Sequence, residues 1–183
     1  PEAGVFRMSL IGQEDPRIKL RVTELADPTV DFEARKLLYS VVNEPWDEVR
    51  YASAVRLLGS RNETFVEEAL KAIRDDSVGV RRRFAAFLAS APTERFRATF
   101  RIALADRDPY VRASALDGLA GLPGGDGAAA ASIFADAHPD VQLALIRYAI
   151  KTRLALPAEL RKRLAESSDP RVREAQRALP DPS

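Results

Sequence analysis

The segment DPYVRASALDGLAGL at residues 108–122 decides the fold of this 183-residue chain. Its opening phrase, Asp-Pro-Tyr-Val-Arg, returns in altered form about every 31 residues. A constant period in this range is typical of proteins built from stacked structural repeats. The apolar residue of the phrase recurs at Ile18, Val49, Val80, Val111, Val141 and Val172, with spacings of 31, 31, 31, 30 and 31 residues.

Each phrase predicts the start of a helix. In the quoted segment, Val111, Ala115 and Leu119 fall on one face of a helix with about 3.6 residues per turn. Asp108 supplies an acceptor for the N-terminal N–H groups, and Pro109 suits the first turn. Small residues recur in this apolar stripe in the other copies, so we expect neighbouring helices to approach closely.

A second helix is predicted between successive phrases. These helices are predicted near residues 29–42, 63–74, 93–105, 127–136 and 158–166. With a first helix at 16–26 they make a series of antiparallel pairs, whose apolar faces are covered only when the pairs stack. We therefore expect a single all-α domain over residues 1–183, with five to six repeats, a leading segment 1–13 and a tail 180–183.

The repeated text resembles HEAT repeats and is most similar to the short HEAT-like repeats of the phycobilisome-lyase type. The clearest copies are DPYVRASALDGLAGL (108–122) and WDEVRYASAVRLLGS (46–60). The copy at 138–150 has Gln142 where the family has Arg, and the first copy has Lys19. The resemblance covers nearly the whole chain. It implies a right-handed α-solenoid in which the second helix of each pair lines the concave surface.

Composition excludes several kinds of site. The chain has no Cys, one His and a formal net charge of +1, so we expect no metal site, no cofactor and no strongly basic nucleic-acid surface. No Ser–His–Asp set or pair of carboxylates stands out, so we expect no catalytic residues and no enzyme activity. No apolar run reaches the ~20 residues that cross a bilayer, so membrane insertion is not expected.

Source and context are less constrained by the sequence. The absence of Cys fits the cytosol, which we favour slightly, and it fits an exported protein as well. The chain begins at Pro1 and its only Met is Met8, so we expect a mature exported form, a trimmed form of a longer chain or one domain of a larger protein. The excess of Arg over Lys, 23 against 5, is typical of a GC-rich bacterial genome.

A basic residue follows the repeated apolar residue in five of the six copies. At about 100° per residue this position lies at the edge of the apolar stripe, so its side chain points into the seam between repeats. We expect each to hydrogen-bond the Asp of an adjacent turn; phosphate binding is the alternative. This basic ladder consists of Lys19, Arg50, Arg81, Arg112 and Arg173.

Four polar residues at the starts of these helices are predicted N-caps, because such side chains accept hydrogen bonds from unpaired backbone N–H groups. They are Asp15, Ser77, Asp108 and Asp169. His138 occupies the same position in its copy, so a capping or turn role is favoured over catalysis or metal binding.

The outward ridge of the second helices is predicted at the second, third and sixth positions after the repeated apolar residue. It mixes aromatic, apolar and Arg side chains, which protein interfaces favour. The partner-binding ridge consists of Tyr51, Val55, Arg82, Arg83, Leu143 and Arg147. The leading hypothesis is a non-enzymatic scaffold that binds a protein or peptide along the concave surface, with Arg favouring acidic partner residues. An ordinary exposed helix face is the alternative.

Two further functions stay open. HEAT-like alkylpurine DNA glycosylases bind duplex DNA in a basic concave groove, and Asp117 near Arg83 and Arg147 resembles their acidic site loosely. Arg97 and Arg101 share a helix face and offer a basic patch or a solvated surface. The near-neutral charge disfavours nucleic acid. A bilin-lyase-like protein is the other alternative, resting on the repeat resemblance alone.

Overall fold

The structure is a computed structural model that describes residues 14–180. These residues form eleven α-helices and no strand, which confirms the all-α prediction. The helices are α1 (Pro16–Leu25), α2 (Asp31–Asn43), α3 (Asp47–Leu57), α4 (Glu63–Leu70), α5 (Val78–Ser90), α6 (Arg97–Ala103), α7 (Pro109–Gly121), α8 (Gly127–Ala131), α9 (Pro139–Thr152), α10 (Ala158–Ala165) and α11 (Pro170–Ala175). Short 3-10 helices lie at Lys71–Arg74, Glu94–Phe96 and Gln176–Ala178.

The Asp-Pro pairs of the repeated phrases mark helix starts. Helices α1, α7 and α11 each begin at the Pro of such a pair, and the preceding Asp is the N-cap residue. Proline lacks the N–H that the first turn leaves unsatisfied, and its fixed φ suits a helix. The Asp carboxylate accepts a backbone N–H of the same turn. The pair therefore sets the first residue of each of these helices.

One predicted helix is much shorter than its sequence pattern indicates. The helix predicted at 127–136 comprises only Gly127–Ala131, and turns follow it. The hydroxyl of Ser132 donates to the carbonyl of Ala129 at 2.7 Å. A side chain that bonds nearby backbone in this way competes with the next helical hydrogen bond, which accounts for the early end of α8.

The chain divides into two compact units, Pro1–Phe84 and Ala85–Ser183, and α5 runs through the boundary. In the first unit, α3 packs against α1 and α2, and α4 packs against α2 and α3. Helices two apart in the chain, such as α1 and α3, are thus in direct contact. The buried core of this unit includes Val22, Ala26, Ala34, Leu37, Leu57, Phe65 and Ala69.

In the second unit, α9 packs against α7 and α11, and α6 packs against α7. Gly118 lets α7 approach α6 closely, because a Cβ atom at this position would overlap the ring of Phe100. A small residue in the apolar stripe therefore sets the distance between these two helices. The largest buried side chains of this unit are Leu88, Phe100, Leu116, Leu119, Leu145, Ile146, Tyr148 and Leu164.

The repeated apolar position is a core position in both units. Its residue is at most 1% exposed in five of the six copies. These copies are Val49, Val80, Val111, Val141 and Val172. Ile18 is 41% exposed, and it lies on α1, the first helix of the described range.

Replacing Asp108 with Ala tests the helix-start mechanism. The Asp108 carboxylate accepts the N–H groups of Tyr110 and Val111 at 3.0 and 3.2 Å. We expect Asp108→Ala to lower the free energy of unfolding by about 1 kcal/mol, because both donors lose their acceptor. Chemical denaturation followed by far-UV circular dichroism measures the change.

The matched control is Asp76→Ala. The Asp76 side chain is exposed and makes no hydrogen bond or ion pair within residues 14–180. Its loss should change the unfolding free energy by less than about 0.5 kcal/mol. Equal effects of the two substitutions would show that the cap contributes nothing specific.

Candidate functional site

Arg50 shows the contacts that define the basic ladder. Its Nε and Nη2 donate to the two oxygens of Asp75 at 2.8 and 2.9 Å. Its Nη1 donates to the carbonyls of Glu44 and Pro45 at 2.9 and 3.1 Å, and Asp47 accepts a further bond from Nη2 at 2.8 Å. The guanidinium therefore joins the turn before α3 to the turn before α5.

Arg112 repeats this arrangement in the second unit. Its Nε donates to Asp136 Oδ2 at 2.7 Å. Its Nη1 donates to the carbonyls of Asp106 and Arg107, in the turn before α7, at 2.9 and 3.0 Å. The arginine and its carboxylate are 24 positions apart here and 25 positions apart in the first unit. One side chain thus links consecutive repeats in each unit.

The carboxylate that receives the arginine also shapes its own turn. Oδ1 of Asp75 accepts the N–H of Ser77 at 2.8 Å, and Oδ1 of Asp136 accepts the N–H of His138 at 2.9 Å. A carboxylate that bonds the backbone two residues later forms an Asx turn. The same group therefore fixes the turn before a helix and anchors the arginine of the preceding repeat.

The copies that lack arginine keep part of the pattern. Lys19 Nζ lies 2.7 Å from Glu44 Oε1, a single ion pair in place of the two-pronged contact. Gln142 donates to the Asp136 carbonyl and accepts the Ser167 hydroxyl, both at 3.3 Å. A neutral pair thus replaces the ion pair between these two repeats.

Arg81 and Arg173 also contact the turns before their own helices. Arg81 Nη1 donates to the carbonyls of Asp75 and Asp76 at 2.8 and 3.1 Å. Arg173 makes the equivalent pair of bonds to the turn before α11, at 2.6 and 3.0 Å. Each member of the basic ladder therefore bonds a turn or its carboxylate.

The surroundings of Arg50 keep it charged and occupied. Its side chain is 14% exposed. The pKa of Arg50 lies above its ordinary value, and the largest cause is its hydrogen bonding to Asp75. Burial opposes this rise, and the contact with Asp47 contributes to it. A guanidinium with carboxylates and carbonyls on its donors has little capacity left for an outside phosphate. The geometry fits a structural contact.

The residues nominated as caps take two different roles. Asp15 and Asp169 each accept the N–H two residues later at 2.8 Å, and each also pairs with the arginine at that position. The side-chain hydrogen bond from that arginine is the largest influence and lowers the pKa of each carboxyl. Ser77 instead donates its hydroxyl to Asp47, which links the starts of α5 and α3.

In the first unit, the partner-binding ridge centres on a stacked pair. The guanidinium carbon of Arg83 lies 4.1 Å from the centroid of the Tyr51 ring. Arg83 and Arg82 are exposed, while Tyr51 and Val55 are half-buried. Helices α3 and α5 thus present an aromatic side chain, an aliphatic side chain and two cations.

In the second unit, the ridge residues lie on α9, and one of them already forms an ion pair. Leu143 is half-buried. Arg147 Nε and Nη2 reach the two oxygens of Asp117 at 3.0 and 2.6 Å. The pair is about half exposed, so it contributes little to stability. Asp117 is therefore an ion-pair partner of Arg147 rather than an isolated acid.

The second basic cluster is neutralised by nearby acids. Arg97 pairs with Glu94 at 2.5 Å, and Arg101 pairs with Asp126 at 2.6 Å. Arg97 also donates to the carbonyl of Gly125, in the glycine-rich turn before α8. These arginines therefore hold a turn in place, and the basic patch loses most of its free charge.

Asp126, which stands at the predicted start of a helix, is the N-cap of α8 and has further contacts that the sequence pattern did not identify. Its carboxylate is 6% exposed and accepts Arg101 Nε and the N–H of Ala129, the latter at 3.1 Å. Its own N–H donates to the hydroxyl of Tyr148 at 2.5 Å. Tyr148 is 1% exposed, and a buried Tyr hydroxyl needs a partner. The signals available in the sequence were this requirement and the position of Asp126 directly before a predicted helix.

His138 and possible metal-binding groups are the remaining candidates for a chemical role. Nδ1 of His138 accepts the N–H of Asp140 at 3.3 Å, and the ring meets Tyr110 edge-on at 5.9 Å. Within residues 14–180, no group of three or more His, Cys, Asp or Glu side chains is placed to hold a metal ion. No helix in the same range is both long and apolar enough to cross a membrane.

Comparison with protein-family models finds no match to the chain, and comparison with curated proteins finds none either. The resemblance to HEAT repeats therefore rests on the repeated phrases alone.

Asp126 predicts a measurable response to acid. Burial is the largest influence and raises its pKa, but the hydrogen bonds from Arg101 and Ala129 and the charges of Arg101 and Arg97 together lower it below the ordinary value. A carboxyl with a lowered folded-state pKa stabilises the fold above its unfolded pKa of about 3.9, and this contribution disappears as pH falls through the folded-state pKa.

We therefore expect wild type to lose more unfolding free energy than Asp126→Asn between about pH 5 and pH 2. Urea denaturation at a series of pH values measures both slopes. If the two proteins lose stability in parallel over this range, the ionised Asp126 carboxylate does not stabilise the turn.

Proposed function

We propose that the helix pairs form a right-handed α-solenoid of the HEAT type. Three features support this proposal: the repeated phrase, the buried valine and the recurring arginine contacts. The packing of α1 on α3, and of α7 on α9, places helices of successive repeats against each other within each unit. Nearest-neighbour packing of this kind is how stacked repeats cover their apolar faces.

We infer that the chain is a non-enzymatic scaffold that binds a segment of a partner protein. The observation that carries this proposal is the stacked pair of Arg83 and Tyr51 beside Val55 on α3 and α5. Helices α3 and α5 are the second helices of their pairs, which in HEAT-repeat proteins line the concave surface.

The chemistry of this pair suits an acidic partner. Aromatic and Arg side chains dominate binding energy at protein interfaces. Arg83, already stacked on Tyr51, has less side-chain freedom to lose when a partner binds. Its side chain makes no hydrogen bond to another residue between 14 and 180, so its N–H groups can form a fork with a carboxylate. Arg82 adds a second positive charge.

Duplex DNA is a poorer match to the same surface. The net charge is +1, and Arg50, Arg112 and Arg147 are paired with carboxylates. Affinity for DNA comes largely from cations that neutralise phosphates. Cations that already face carboxylates would have to give up those pairs first.

The experiment is a peptide selection followed by a binding measurement. A phage-displayed random peptide library is selected on the wild-type chain, and one selected peptide is measured by fluorescence anisotropy. We expect acidic residues in the selected peptides. Arg82→Glu with Arg83→Glu should raise the dissociation constant at least tenfold, a loss of about 1.4 kcal/mol in binding free energy. The reason is that the carboxylates of the peptide then meet like charges. Thermal melting checks that this variant remains folded.

A matched double reversal controls for overall charge. The side chains of Lys151 and Lys162 are exposed and make no ion pair or hydrogen bond within the described residues, so Lys151→Glu with Lys162→Glu should bind the peptide like wild type. Equal weakening by both double variants would contradict the ridge site. A DNA outcome would contradict a protein partner: the wild-type chain would bind duplex DNA in a salt-dependent way, and the Arg82→Glu, Arg83→Glu variant would not.

A further inference from the structure

Helix α2 carries large apolar side chains on the face opposite its buried one. Phe32, Tyr39 and Val42 are 47%, 62% and 67% exposed. At about 100° per residue they fall within an arc of about 80°. The buried residues Ala34 and Leu37 lie on the other side of the helix. A surface helix ordinarily has a polar outer face, so α2 departs from the rule.

The repeat itself offers an internal comparison. Helices α4 and α10 also precede a repeated phrase, as α2 does. No large apolar residue is exposed on α4 or α10, both of which are fully described. The exposed residues of α4 are Glu63, Thr64 and Glu67. Helix α6 also precedes a repeated phrase, and it exposes one large apolar residue, Ile102. The repeat architecture therefore does not require an apolar outer face, and among these four helices only α2 exposes three such residues.

The charges next to the apolar residues are mainly positive. Lys36 Nζ lies 5.8 Å from the centroid of the Phe32 ring, and Lys36 makes no ion pair within residues 14–180. Arg35 pairs with Asp31 at 2.8 Å, with both side chains about two-thirds exposed. An exposed pair of this kind is weak and easily exchanged. The face thus offers two cations to carboxylates of a partner.

The area of the face limits what can cover it. With about 200 Å² for a whole aromatic side chain, Phe32 and Tyr39 expose about 200 Å² together, and Val42 brings the total to about 300 Å². A stable dimer buries about 800 Å² on each partner. In a symmetric contact with the two-fold axis near the centre of this face, Lys36 would also approach its own counterpart. The face therefore fits one side of a short helix better than a second copy.

A lipid surface fits less well than a protein helix. Sequence segments that bind anionic membranes carry clusters of about four to eight Lys or Arg residues. The face of α2 has Arg35 and Lys36, and Asp31 offsets one of them.

We propose that the outer face of α2 docks an amphipathic helix of a partner protein that carries acidic residues beside its apolar stripe. Phe32, Tyr39 and Val42 receive the apolar residues, in the way that an amphipathic helix lies against a hydrophobic surface. Arg35 and Lys36 pair with the carboxylates. This surface does not include the partner-binding ridge on α3 and α5, so either proposal can fail without the other.

Two synthetic helical peptides test the proposal. They share one apolar stripe of Leu residues, and their flanking positions are all Glu in one peptide and all Lys in the other. Fluorescence anisotropy should show saturable binding of the Glu peptide to the wild-type chain and at least tenfold weaker binding of the Lys peptide. Tyr39→Ser with Val42→Ser should weaken binding of the Glu peptide at least tenfold. Lys36→Glu should weaken binding of the Glu peptide and strengthen binding of the Lys peptide.

Matched controls separate this face from others. Ile102→Ser with Ile150→Ser removes two apolar residues that are 39% and 41% exposed on other helices, and should leave binding unchanged. Arg82→Glu with Arg83→Glu should also leave it unchanged, whether or not the ridge binds its own partner.

Three outcomes would overturn the proposal. The first is equal binding of the two peptides, or no binding of either. The second is sedimentation of the chain with anionic phosphatidylglycerol vesicles that Tyr39→Ser with Val42→Ser abolishes, since the face would then contact membrane. The third is concentration-dependent dimerisation in analytical ultracentrifugation that the same double variant abolishes, since the face would then bind a second copy.

Discussion

The arginine that follows the repeated valine ties one turn to the next at Arg50 and Arg112, and the account of the fold depends on this contact. Arg50 and Arg112 each close the turn before their own helix and reach the carboxylate of the following turn. A partly buried charge costs free energy unless it is paired and hydrogen-bonded. Here the guanidinium and the carboxylate satisfy each other, and each also bonds the backbone. Because the two lie 24 or 25 positions apart, the contact also constrains the length of a repeat.

This contact also decides which residues are available for function. The cations of the basic ladder are used within the protein, so a binding surface has to be built from other side chains. Arg83 lies against Tyr51 and Lys36 against Phe32, and neither cation makes an ion pair within residues 14–180. Cations in that setting keep their capacity for ion pairs with a partner. The ridge proposal rests on Arg83, and the α2 proposal rests on Lys36 together with Arg35, whose exposed pair with Asp31 is weak.

Much of the fold follows from the period of the sequence. The spacing of the valines predicts the helices, and the angle of the position after each valine predicts that the arginine enters the seam between repeats. The carboxylate five residues before the valine was also visible, because Glu44, Asp75 and Asp136 align once the phrases are stacked. The sequence prediction placed the partner in an adjacent turn but did not assign it to this position.

Other features depend on side-chain placement and could not be read from the period. The stacking of Arg83 on Tyr51 requires two rotamers on different helices to coincide. The early end of α8 depends on one hydroxyl of Ser132. The outer face of α2 was within reach, because Phe32, Tyr39 and Val42 have helical spacing, but apolar residues at that spacing are ordinarily counted as core.

A double-mutant cycle on Arg112 and Asp136 tests the central claim most directly. The side chains are 17% and 12% exposed and 2.7 Å apart, and both lie in the second unit. The free energies of unfolding of wild type, Arg112→Met, Asp136→Asn and the double variant are measured by chemical denaturation. The account predicts a coupling energy of about 1–3 kcal/mol, because either single change strands the other charge. Additive effects, within about 0.5 kcal/mol, would contradict it.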